Sequence, residues 1–80
     1  MIEQKDAELL AQEKMQEFVN ACGCNTNADV ANALMKLASV CGVGMCAVVG
    51  RAEAVLRMQG TADFIAATQG EKMWNCERSN

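Results

Sequence analysis

Residues 37–50 read LASVCGVGMCAVVG, an uncharged run interrupted by Gly42, Gly44 and Gly50 where a strong helix would place Ala or Leu. Glycine in a helix interior costs about 1 kcal/mol relative to alanine, so a helix through this run needs something to offset the glycines. At helical spacing Ala38, Gly42, Cys46, Gly50 and Ala54 recur every fourth residue, and all five are small. Such a stripe implies a second backbone lying very close, or else chain breaks at the glycines. A helix running through Gly42 predicts self-association along these five residues. A bend predicts a break at 42–44. A strand over 43–49 is the remaining alternative, favoured by Val43, Val48 and Val49. No other segment reads as a strand, so it would pair with its own copy in a dimer.

Outward from this run the pattern is helical. Residues 1–23 form a candidate amphipathic helix in which Ala11, Met15, Phe18, Val19 and Cys22 share one face. Glu3 and Asp6 suit the positive end of its dipole, and Gly23 supplies a C-terminal stop. After the loop at Cys24, Asn25, Thr26 and Asn27, Thr26 is the candidate N-cap of the next helix, with Asp29 answering it three residues on. Val30, Leu34, Leu37, Ala38 and Cys41 make that helix's apolar face. Beyond Gly50, Val55, Met58, Ala62 and Ile65 share a face, and Glu53 with Arg57 forms an i, i+4 pair. Gly60 and Thr61 read as the end of one helix and the cap of another, with Asp63 in the new first turn. Residues 26–70 are thus the central helices and 71–80 a polar tail carrying Met73 and Trp74.

The chain has 80 residues, 51% of them hydrophobic and 21% charged, with no proline, tyrosine or histidine. That is a helix-forming vocabulary for one small domain, 1–80, whose core is too small to be comfortable alone. The expected fold is all-α, a three- to four-helix bundle completed by homodimerisation. The net charge of −3 weighs against DNA, whose backbone is bound by clustered Lys and Arg. The first residues, MIEQKDAELL, lack the basic and apolar regions of a signal peptide. The uncharged run is shorter than the roughly 20 residues that span a membrane. A cytoplasmic protein with no membrane partner is expected.

The five cysteines, Cys22, Cys24, Cys41, Cys46 and Cys76, are odd in number and fit no common zinc spacing. Reduced thiols acting as small apolar groups are expected, with a cluster of Cys22, Cys24 and Cys76 as the alternative. No metal or cofactor is expected. Catalysis finds no footing either: without histidine and tyrosine, acid–base chemistry falls to carboxylates, lysines and thiols. Glu53 and Asp63 already have structural explanations, and Cys24 is the sole candidate nucleophile.

Two motifs overlap the central run. Gly42, Gly44 and Ala47 match the G-x-G-x-x-A form of a dinucleotide fingerprint, with Asp63 near the place of the ribose-binding acid. That motif follows a strand, whereas a capped helix precedes it here. Leu37, Ala38, Gly42, Val43 and Val48 resemble a helix-turn-helix unit over about fifteen residues. Its reading helix would present Gly44, Met45, Cys46, Ala47, Val49 and Gly50, and Arg51 alone could hydrogen-bond base edges strongly.

What remains is binding without chemistry. A short soluble chain of this kind is similar in type to the small accessory proteins of bacteriophages and prophages, which bind and inhibit a host protein, often a defence factor. The expected partners are a second copy of the chain and a host protein. An oligomeric sponge enclosing a small nucleotide or metabolite is an alternative, with Asn25, Thr26, Asn27, Arg51 and Arg57 as the available polar contacts. An atypical helix-turn-helix regulator is another. Trp74 is a candidate partner contact, because tryptophan is enriched at binding hot spots, and a candidate packing residue.

Overall fold

Thr26 and Asp29 begin the longest helix with a reciprocal cap. The Thr26 Oγ1 accepts from the Asp29 N–H at 3.1 Å, and the Asp29 carboxylate accepts from the Asn25 N–H at 3.1 Å. The cap satisfies backbone donors that no carbonyl within the helix can reach. A computed structural model describes residues 1–70 and contains three helices: α1 Gln4–Cys22, α2 Asn27–Val49 and α3 Arg51–Thr68. The protein is all-α, with no strand among the described residues. Gly23 ends α1 in the left-handed region at φ 69°, its N–H donating to the Asn20 carbonyl.

Of the alternatives left open for this run, the break at 42–44 and the strand over 43–49 are both absent, because α2 runs unbroken through Gly42 and Gly44. Breaking the helix there would orphan backbone donors and acceptors on both sides of the glycines. The same reasoning corrects the boundary expected at Gly60 and Thr61, since α3 passes straight through both. The chain turns at Gly50 instead. Its φ of 90° and ψ of 162° lie in a region essentially reserved for glycine. Its N–H closes α2 on the Cys46 carbonyl, and its own carbonyl accepts the Ala54 N–H that opens α3, each at 3.0 Å. One residue therefore serves as the whole connection.

The contacts of the described residues divide into two compact units, residues 1–34 and 35–70. In the first, Val19 and Val30 are buried, and Phe18 and Leu34 are half-buried. Ala11, Met15 and Cys22, expected on the packed face of α1, are exposed, as are Leu9 and Leu10. In the second, Ala54 is the buried side chain, with Leu37, Ala38, Gly42, Met45 and Met58 half-buried. Val55, Ala62 and Ile65 of the expected α3 face are exposed. The helical faces are legible in the sequence, but within one chain they are mostly uncovered.

The backbone assignments predict opposite effects of one substitution at different glycines. Gly50→Ala should cost about 1–3 kcal/mol, because alanine cannot hold that φ and ψ without strain. Gly44→Ala and Gly60→Ala should each add about 1 kcal/mol, since both sites are helical and a Cβ there meets nothing within 4 Å. Urea denaturation followed by circular dichroism at one fixed protein concentration measures all three.

Candidate functional site

The small residues spaced every fourth position do not form one continuous face, because the turn at Gly50 folds the stripe back on itself. Ala38, Gly42 and Cys46 lie on α2, Ala54 lies on α3, and these four border the same groove. A Cβ built on Gly42 would sit 3.7 Å from Met58 Cε, so residues equidistant from Gly50 face each other. The two helices run back alongside one another as a hairpin. Ala54 on α3 is 2% exposed, the most buried of the described residues. The close neighbour that the stripe implied is the chain's own α3, and Gly50 is the joint rather than a contact residue.

Between the helices lies an open groove of about 310 Å³, completed by Ser39, Val43, Val55 and Met58. Its lining is almost wholly apolar. Van der Waals and hydrophobic contacts are what such a surface offers, with the Ser39 hydroxyl and the Cys46 thiol its polar groups. Sequence reasoning missed Ser39, Val43, Val55 and Met58 as groove residues. The signal for them was the mirror relation about Gly50, which appears only once the turn is placed there.

None of the polar residues expected to hold a ligand lines this groove. Asn25, Thr26 and Asn27 belong to the first unit, where Thr26 caps α2. Arg57 and Arg51 belong to the second. The Arg57 guanidinium donates through Nε to Glu53 at 2.9 Å, an exposed i, i+4 pair worth a few tenths of a kcal/mol. Arg51 opens α3 and is exposed. Trp74 lies outside the described residues, as does Cys76 of the alternative metal cluster. Cys22, Cys41 and Cys46 are exposed free thiols and Cys24 is half-buried. No group of three or more metal-ligating side chains occurs among the described residues.

The turn that a helix-turn-helix unit needs at Gly42 is absent, because α2 is continuous there. The dinucleotide fingerprint likewise sits within a helix rather than in a strand-to-helix loop. The 23-residue α2, whose most apolar 18-residue window has mean hydropathy 1.6, is long and apolar enough to cross a membrane by length and composition, a test that core helices also pass. Its helix extends well beyond the uncharged run, taking in Asp29 and Lys36.

Compared with protein-family models, curated proteins and solved structures, the chain matches none.

Position 42 tests the close approach of α2 and α3. Gly42→Ala should be neutral or stabilising by up to about 1 kcal/mol, because a methyl at 3.7 Å from Met58 Cε makes an ordinary contact. Gly42→Leu should destabilise by about 1–3 kcal/mol by forcing the helices apart. Equal stability of the two variants in urea denaturation would refute the close-packing account.

Proposed function

We propose that this chain is a non-enzymatic helical binding protein. In this reading it completes its core by self-association and acts in the cytoplasm on a protein partner, as small phage and prophage accessory proteins do when they inhibit a host factor. The observation that carries it is the bareness of the helices. Val19, Val30 and Ala54 are the buried apolar residues, while Leu9, Met35, Val40, Val43, Val48, Leu56 and Phe64 are each more than half exposed. Exposed apolar side chains in such number mark a surface that functions covered. Burying them supplies a driving force that is proportional to area and needs no particular chemistry in the partner.

The polar residues support the same reading. Asp29 is engaged in the cap of α2 and Glu53 in an ion pair, so two of the carboxylates nearest the turns have structural tasks. Inhibition by occupancy requires only a complementary surface, and a short helical hairpin presents one on a rigid frame.

A tagged full-length chain, incubated with lysate of the source cell and recovered at high salt, tests the proposal. Wild type is expected to retain a host protein in fixed ratio, and Leu56→Glu or Phe64→Glu to lose it. Adding the purified chain should then reduce that protein's activity. Recovery of the chain with itself alone, or release of a stoichiometric nucleotide on heating, would overturn inhibition of a protein.

A further inference from the structure

Gly42 and Val43 are neighbours on α2 with opposite surroundings. Gly42 is half-buried beside Met58, whereas Val43 is 72% exposed and still borders the groove between α2 and α3. A projecting valine therefore stands next to a recess lined by the small residues Ala38, Gly42, Cys46 and Ala54. On α3, Val55 borders the same groove and is 46% exposed. Glu53 and Arg57, joined in their ion pair, flank Val55 at two residues on either side, which places them nearly opposite it on α3.

We infer that this groove face seats the same face of a second copy in a two-fold dimer, each copy's Val43 entering the other's groove. The inference deepens the self-association reading and rests on it. A two-fold contact needs one patch that is its own complement, and a knob beside a hole is such a patch. No acidic residue lines the groove, so pairing there sets no two carboxylates face to face in a chain of net charge −3. Lys36 and Arg51 lie beyond the lining residues in sequence, and long stems carry their charges to water.

The area fits one such contact. Val40, one turn from Val43, is 62% exposed. Together with Val43 and Val55 it exposes on the order of 300 Å², and Ser39, Cys46, Met58 and their small neighbours add about as much again. A pair then buries roughly 1,200 Å², the lower end of the range for specific interfaces. A small ligand fits less well, because such sites converge several polar groups, and the lining offers one hydroxyl and one thiol.

Light scattering and native mass spectrometry of the full chain over a range of micromolar concentrations, with mapped alkylation by iodoacetamide, test the inference. The expected mass is twice the 8.6 kDa of one chain. Val43→Glu should give a monomer of unchanged helicity, because the position is exposed within one chain. Val43→Ala, which favours the helix, should raise the dissociation constant about tenfold or more even where the glutamate prevents folding. Phe64→Glu, half a turn round α3 from Val55, should leave the dimer intact. In the dimer Cys46 should be protected from alkylation, and Cys41, nearly opposite Val43 on α2, should not; dilution to monomer should remove the protection. A dimer that survives both Val43 variants, or that protects Cys41 in place of Cys46, would overturn this face and leave self-association standing. A mass above that of a pair would overturn the two-fold arrangement on the same terms. A monomer at every concentration would overturn both readings. Co-flotation with phosphatidylcholine vesicles in place of pairing would overturn the choice of a second copy.

Discussion

Everything in the second half of the chain follows from the backbone at Gly50. Its conformation is one that a side chain would oppose, and its N–H and carbonyl are both used, one to finish α2 and the other to start α3. With no further loop residue available, the register of the hairpin is fixed by counting from that point. Gly42 meets Met58 because each stands eight positions from the joint. The small side chains are then a requirement of geometry: two helices joined by one residue separate slowly, and bulk near the joint would pry them apart. Ala54 is buried and Gly42 half-buried for this reason.

The same tight joint leaves the rest of α2 exposed. One antiparallel neighbour covers only part of a helix's circumference, and from Leu37 to Val49 the rest of α2 carries no charge. A soluble helix with one packed side ordinarily places charges on the remainder. Here Lys36 and Asp29 lie N-terminal to the uncharged run, and Arg51 follows it. Few buried side chains set against the entropy of ordering three helices make an isolated chain a poor thermodynamic unit. Under the proposed self-association, a second copy would cover that surface without any new element of structure.

The helices themselves were legible in the sequence. Gly23, the Thr26 cap with Asp29, and the Glu53–Arg57 pair all act within a turn or two of chain, where spacing alone determines who meets whom. The glycines were harder. Gly42, Gly44, Gly50 and Gly60 carry the same propensity penalty, yet three lie inside helices and one is a turn. The decision depends on what packs across the helix, which no local window contains. The candidate site was read less well for the same cause. The fourfold stripe borders the approach of α2 to α3, a relation set by the turn at Gly50, and the polar residues gathered as ligand contacts lie on separate stretches of the chain.

The hairpin has a kinetic consequence. Its contacts join residues close in sequence, and chains dominated by short-range contacts cross their folding barriers fast, on microsecond to millisecond scales. Encounters between chains depend on concentration and take milliseconds to minutes. During synthesis, α2 and α3 therefore find each other first, and any second molecule meets a formed pair. The order matters for an apolar helix: pairing at Gly50 hides one side of α2 before any other molecule can reach it.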